Sequence, residues 1–308
     1  MSLIEQIVFG TRGSPLAIYQ TESIIAKLKV IYPYVSYKRK IIETEGDRDQ
    51  DSSLTLMEEL GLFSNEIQVE LMKNNIDAAV HSLKDIPVEY SEKLILAAIP
   101  ERLDAKDVLF HPKGWSINDL TPGSVVGTCS LRRKGQIKNL RNDVVIQDIR
   151  GNIQTRIDKV NSGEYDAIIL AAAGLIRLNH DISKYYVFDF NEITPAPGQA
   201  ALAVETRRDS KELINMMSRI DNINIRKAVE VERDILRQIG TGCSMPIGVF
   251  ASSTGNALDI IACYVNPDTG EKKIIKRQKM KDQTNKITKV ISDELLSAMD
   301  NDIDDYKV

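Results

Sequence analysis

Short β-branched runs alternate with helix-period segments along the first two hundred residues. That alternation restricts the chain to layered α/β architectures. The pattern predicts strands at 7–9, 36–42, 78–80, 125–127, 144–149 and 167–170. Between them it predicts helices at 15–31, with proline in the first turn, and at 64–74, 131–140 and 152–161. A Pro-Ala-Pro-Gly stretch at 195–198 punctuates the chain before a new apolar strand at 201–204, as a crossing between lobes would. Past residue 220 the pattern changes to a helix at 223–239 ending at Gly240, strands at 247–251, 258–265 and 272–279, and an amphipathic helix at 285–299. The expected division is therefore three domains: 1–99 with 196–219, then 100–195, then 220–308. Residues 43–62 are rich in charge and poor in strand formers, and read as a mobile loop: a lid or binding loop, or equally simple disorder.

Length and composition narrow the class. A chain of 308 residues is expected to make about two domains, or three if they are small. Hydrophobic residues at 43% and charged residues at 27% are ordinary for a globular protein. The longest apolar stretch, 167–176, falls well short of the ~20 residues that span a bilayer. The start Met-Ser-Leu-Ile-Glu-Gln is unlike a secretory signal, so the expected compartment is the cytoplasm, with no membrane partner. Three cysteines, Cys129, Cys243 and Cys263, are too few for a disulfide framework and leave at least one thiol free. The net charge of -4 argues against a nucleic-acid partner, as does the lack of aromatics among the basic residues. Yet 124–160 carries eight basic residues against three acidic ones, while 43–51 and 300–308 are strongly acidic. A cationic patch in an anionic protein suggests a small anionic ligand.

Four constellations carry the chemistry. Gly10-Thr11-Arg12-Gly13-Ser14-Pro15 joins a strand to a helix and can offer backbone N–H groups, a guanidinium and a hydroxyl to an anion; equally, Ser14 then Pro15 is an ordinary helix cap. Gly127-Thr128-Cys129-Ser130-Leu131-Arg132-Arg133 repeats the design with two planar guanidinium forks, and Arg150-Gly151-Asn152, with Arg156 further along the helix, repeats it again. Three such junctions at strand ends in an α/β fold point to the crevice where ligands of that architecture bind. His81-Ser82-Leu83-Lys84-Asp85-Ile86-Pro87 supplies a cation beside a carboxylate, which is either an acid/base group or a surface ion pair; His81 reads as a structural hydrogen-bonding residue. Gly240-Thr241-Gly242-Cys243-Ser244-Met245-Pro246 builds a turn around a thiol, suited either to covalent attachment or to nucleophilic catalysis. No metal-ligand spacing is present.

Taken in order, Thr-Arg-x-Ser-Pro-Leu-Ala, Ala-Val-His-Ser-Leu-Lys-Asp-Ile-Pro, Gly-Thr-x-Ser-Leu-Arg-Arg, Arg-Gly-Asn, Pro-Gly-Gln and Gly-Cys-x-x-Pro-Ile-Gly resemble the porphobilinogen deaminase (hydroxymethylbilane synthase) family over nearly the whole chain. The resemblance implies three α/β domains, the first two like the lobes of type II periplasmic-binding-protein folds with mixed sheets, the third small with a three-stranded sheet. It implies a monomeric transferase of porphyrin and heme biosynthesis that uses neither metal nor nucleotide. Cys243 would hold a dipyrromethane cofactor through a thioether. Four porphobilinogen molecules would then be condensed head to tail with loss of ammonia, and the linear tetrapyrrole released by water. Asp85 matches the essential carboxylate. Arg12, Ser14, Gln20, Lys84, Thr128, Ser130, Arg132, Arg133, Arg150, Arg156 and Gln199 match cofactor- and substrate-binding positions.

Four positions depart from the family's pattern: Leu60 where a lysine is common, Cys129 for serine, Thr241 for glycine and Met245 for a β-branched aliphatic. None removes a residue the chemistry needs. The alternative from a different class is a non-catalytic two-lobed anion-binding protein, which leaves the Gly-Cys turn and the third domain without a role.

Overall fold

The computed structural model describes residues 4–43, 62–88, 91–240, 245–254, 257–280 and 284–304. They form two compact units, residues 1–103 with 200–227 and residues 104–199 with 228–308.

The first unit is a five-stranded mixed sheet of order β2-β1-β3-β10-β4. Its strands are β1 (Gln6–Thr11), β2 (Ser36–Ile41), β3 (Ala78–Ser82), β4 (Leu94–Ala98) and β10 (Leu202–Arg207). β1 runs parallel to β2 and β3, while β10 runs antiparallel to β3 and β4. One face packs Phe9, Val80 and Val204 against Ile24 and Leu28 of helix α1 (Pro15–Ile31) and against Leu213 and Met217 of a helix at Lys211–Ser218. The other face packs Ala79 and Leu94 against Ile67 and Leu71 of α2 (Leu62–Met72). With both faces covered, the central strands read as continuous apolar runs, as the sequence suggested.

The second unit repeats the plan with order β7-β6-β8-β5-β9. Here β5 is Asp107–Phe110, β6 Val125–Gly127, β7 Val145–Gln147, β8 Ala167–Ala171 and β9 Tyr186–Val187. β6 is parallel to β7 and β8, and β5 antiparallel to β8 and β9. Helices α3 (Leu131–Leu140) and α4 (Ile153–Asn161) follow β6 and β7. The same unit holds an antiparallel sheet of β11 (Ile247–Thr254), β12 (Ala257–Val265) and β13 (Lys272–Met280). Its Val249, Ile260 and Ile275 pack on Ile235 and Ile239 of the helix Ile223–Ile239 and on Ile291 and Leu295 of the helix Thr284–Asp304.

The mixed α/β class and the three-stranded sheet are as the sequence led one to expect. Several elements are additional: β4, β5, β9, the helix Lys211–Ser218 and a helix at Ala172–Arg177. The apolar run 167–176 divides, its first five residues forming β8 and the rest that helix. Most of the loop expected at 43–62 lies outside the described residues.

Two glycines mark close approaches of different severity. A Cβ on Gly248 would lie 2.5 Å from the Thr194 carbonyl oxygen, a backbone atom that cannot swing away. A Cβ on Gly10 would meet the terminal methyls of Ile76 and Ile42, which can. Gly248→Ala is therefore expected to cost about 1–3 kcal/mol of stability and Gly10→Ala less, a ranking that chemical denaturation of the two variants checks.

Candidate active site

In the first unit the site begins where β1 ends. Thr11 is fully buried and its hydroxyl donates to the carbonyls of Ala17 (3.1 Å) and Arg12 (3.3 Å), folding the strand end back over α1. Ser14 caps that helix, its Oγ accepting from the N–H of Ala17 at 3.3 Å, with Pro15 in the first turn. Ser14 keeps its own O–H, and Arg12 is half-buried beside it in sequence. On the adjacent parallel strand, β3 ends at Ser82 and passes into a single 3₁₀ turn, Leu83–Asp85. Leu83 and Ile86 are fully buried and anchor the turn, and the Leu83 N–H donates to the Ala201 carbonyl at 2.9 Å. Gln20, buried in α1, donates from Nε2 to Ser82 Oγ at 3.0 Å and joins the two strand ends. Lys84 is half-buried and Asp85 exposed. Among the described residues the exposed Asp85 carboxylate has no ion pair or side-chain hydrogen bond.

The second unit has the equivalent arrangement at the ends of β6 and β7. Thr128 is buried, its N–H donating to the Gln147 carbonyl at 2.9 Å and its Oγ1 accepting from the Ser130 N–H at 3.2 Å. Ser130 caps α3 and Asn152 caps α4, the latter accepting from the Thr155 N–H at 2.9 Å. Gly151 has a φ of 109°, which lets the chain turn sharply between Arg150 and the Asn152 cap. The Nε of Arg156 donates to the Gly151 carbonyl at 2.8 Å, holding the guanidinium over the same turn. Burial, reinforced by the charge of Arg133, pulls the Arg156 guanidinium below its ordinary pKa. Among the described residues no carboxylate lies within ion-pair distance of it.

Arg132, Arg133 and Gln199 sit deeper. Asp107, wholly buried at the start of β5, receives Arg132 at 2.8 Å, Arg133 at 2.6 Å and the Gln199 amide at 3.0 Å. Gln199 also donates to the Ala105 carbonyl at 2.7 Å, Arg132 to the Thr194 carbonyl at 2.7 Å and Arg133 to the Ile169 carbonyl at 3.2 Å. The buried Nε of Arg133 has no acceptor among the described residues. Sequence reasoning missed Asp107. A single acid heading the apolar run Val108–Phe110 was the available signal, since a strand buried on both faces tolerates a charge only when it is paired.

Cys243 lies outside the described residues, as do Leu60 and Thr241. Cys129 is half-buried and its thiol donates to the Ile149 carbonyl at 3.0 Å; burial first, then the charge of Asp148, pushes its pKa up. Burial pushes Cys263 up to about 11. Both thiols are thus held protonated, and neither has the thiolate character of a nucleophile.

With Asp107 removed, two buried guanidiniums would lose their counter-charge. Asp107→Ala is expected to destabilise the protein by about 3–5 kcal/mol, and a urea-denaturation midpoint close to that of the parent would refute the assignment.

The family description "Porphobilinogen deaminase, dipyromethane cofactor binding domain" matches residues 7–215, and "Porphobilinogen deaminase, C-terminal domain" matches residues 226–297. The chain is 40% identical over 297 residues to the porphobilinogen deaminase of Limosilactobacillus reuteri (strain DSM 20016), covering 96% of this chain and 97% of that one. It is 43% identical over 271 residues to that of Geobacillus kaustophilus (strain HTA426), with 87% of each chain covered. Among solved structures it is similar to the Bordetella pertussis BvgS periplasmic VFT2 domain, at 12% identity and a TM-score of 0.41 over 70% of this chain and 86% of that one. Among the described residues, no helix is long and apolar enough to cross a membrane, and no group of three or more His, Cys, Asp or Glu residues could hold a metal ion.

Proposed function

We propose, for a chain that belongs to the porphobilinogen deaminase family, that its strand-end anion pockets bind the carboxylates of substrate and cofactor while Asp85 serves the pyrrole nitrogens. The chain is a transferase, a hydroxymethylbilane synthase: it condenses four porphobilinogen molecules stepwise, head to tail, with loss of ammonia, on a covalently bound dipyrromethane, and releases the linear tetrapyrrole by hydrolysis. A non-catalytic anion-binding protein is not favoured, because the relatives that match over nearly the whole chain are this enzyme.

The donor set fits a polycarboxylate. Among the described residues Arg156 has no carboxylate within ion-pair distance and feels the charge of Arg133, and the Nε of Arg133 has no acceptor, so carboxylates of acetate and propionate would relieve both. Bound through Cys243, dipyrromethane would supply the free pyrrole α-carbon to which the first substrate unit adds. The residues we assign to hold these groups are Arg12, Ser14, Gln20, Lys84, Thr128, Ser130, Arg150 and Arg156. Arg132, Arg133 and Gln199 belong to the set as well, with part of their hydrogen bonding spent on Asp107.

The observation that carries the catalytic assignment is Asp85 itself, an exposed carboxylate on a turn anchored by buried Leu83 and Ile86 and next to Lys84. A fixed anion stabilises the positive charge that develops on a pyrrole N–H as ammonia leaves and as the new carbon bond forms. Its carboxylate oxygen can also take and return the proton. We place the enzyme in the cytoplasm as a monomer, a reading carried over from the family. The division into domains 1–99 with 196–219, 100–195 and 220–308 is likewise our reading; the separate core of the three-stranded sheet supports it.

Intact-protein mass spectrometry of enzyme from cells that make porphobilinogen should find an added mass of two porphobilinogens less two ammonias, and find none on Cys243→Ser. An unmodified parent protein would refute the attachment. Asp85→Ala should lower kcat by roughly 10²–10⁴ with KM little changed, and near-normal turnover would remove its role. Arg150 or Arg156 replaced by leucine should accumulate partly loaded enzyme, separable by the same mass measurement.

A further inference from the structure

The strand that delivers Asp85 has a buried carboxylate beside it that the reaction does not use. Glu205 on β10 is fully buried. Its Oε2 lies 3.2 Å from His81 Nε2, and its Oε1 accepts from Gln68 Nε2 at 2.9 Å. The register explains the contact. Ala203 pairs with His81 and Glu205 with Ala79 across the antiparallel β3–β10 ladder, so His81 and Glu205 are diagonal neighbours on one face. The residues directly opposite each of them are alanines, which leaves room for the two long side chains to meet. Gln68 reaches down from α2, the helix covering that face.

A carboxylate withdrawn from water at this position is costly unless it is paired, and an apolar residue would pack the face as well as Ile67 and Leu71 do around it. What the carboxylate supplies is a polar contact: its Oε2 and His81 Nε2 meet at 3.2 Å, at ion-pair distance but outside hydrogen-bond geometry, and are buried together. His81 is separated from the Leu83–Asp85 turn only by Ser82. Ser82 is gripped from the opposite face by Gln20, and Leu83 is tied by its N–H to Ala201. Strand β3 is therefore held from both faces over its last two residues, immediately before the Lys84–Asp85 pair.

We infer that Glu205, acting through His81 and seconded by Gln68, is a positioning residue that fixes the Asp85 turn for the condensation. The inference rests on the reading of Asp85 as the carboxylate that serves the pyrroles. A misplacement of about 1 Å at a catalytic group can cost on the order of 100-fold, which sets the scale of the effect.

The test uses the holoenzyme and the variants Glu205→Ala, Glu205→Gln, His81→Ala and the double His81→Ala/Glu205→Ala. Glu205→Ala should keep its dipyrromethane mass and a KM within about threefold of the parent, while kcat falls on the order of 100-fold. Glu205→Gln keeps an acceptor for Gln68 and a hydrogen-bonding group toward His81, and should recover most of that loss. The double variant should be no slower than the worse single one, because the pair acts as a unit. The chain has three histidines, so imidazole nitrogen NMR can follow His81 separately; its Nε2 resonance should shift in Glu205→Gln. A kcat for Glu205→Ala within twofold of the parent, a loss expressed in KM or in cofactor mass, or additive losses in the double variant would each overturn the inference. Should Glu205→Ala fail to fold, Glu205→Gln decides, and an unchanged His81 resonance with unchanged kcat overturns the inference. A parent enzyme that lacks both turnover and added mass would instead count against the family chemistry.

Discussion

The pairing of Asp107 with Arg132, Arg133 and Gln199 is the constraint on which the second unit is built. One wholly buried carboxylate faces two guanidiniums, so the cluster keeps about one net positive charge at the start of α3. Burial lowers the pKa of Arg132, and Arg133 adds to that effect while Asp107 opposes it. The donors left over continue into the backbone. Arg132 and Gln136 both donate to the Thr194 carbonyl, and the Thr194 N–H returns to Gln136 at 2.7 Å. Glu232 does for the next turn what Asp107 does for this one, accepting from the N–H groups of Gly198 and Ala251 at 2.7 Å each. Buried side chains thus satisfy backbone groups around Thr194 and Gly198 and on β11 that lie outside the ladders.

The three strand-to-helix junctions meet a different requirement. Ser14, Ser130 and Asn152 each accept a hydrogen bond from their own helix, so the capping that the sequence suggested at Ser14 is present and extends to the other two junctions. Capping does not exhaust them, because a hydroxyl that accepts still has a proton to donate and the first-turn N–H groups of the helix remain available. Capping and anion binding are therefore compatible at one residue: the cap fixes the direction in which the remaining donors point.

Much of this was legible in the sequence, for identifiable reasons. Pro15 after Ser14 places the start of α1 to the residue, and the polar-rich segment 131–140 shows helical spacing between a serine cap and an apolar end. The run 167–176 shows the limit: a strand and a helix that are both buried look alike in apolar content, and only the backbone reveals the break at Ala171. The two-residue strand β9 owes its existence to its pairing with β5 and carries no local pattern, while β4 and β5 are short apolar runs that only distant partners turn into strands. The candidate site divides in the same way. Its Arg12, Lys84 and Asp85 were visible because charges and glycines cluster in short segments at strand ends, and Arg156 because it follows Arg150-Gly151-Asn152 along the helix. Its supporting carboxylates, Asp107, Glu205 and Glu232, were not, because each is a single acid whose meaning lies in the partners that reach it.

A net charge of -4 might be thought to disqualify an enzyme for polycarboxylates, but the distances decide otherwise. At physiological ionic strength charges in water are screened over about 8 Å, so the sum over the whole chain weighs little on a ligand that has reached a pocket. On the proposed reading, the charges a bound carboxylate meets are half-buried guanidiniums such as Arg156, whose interactions are screened far less. On the proposed reading, the few cations at the strand ends choose the ligand. Function here depends on where the positive charges sit, and the overall sum conceals it.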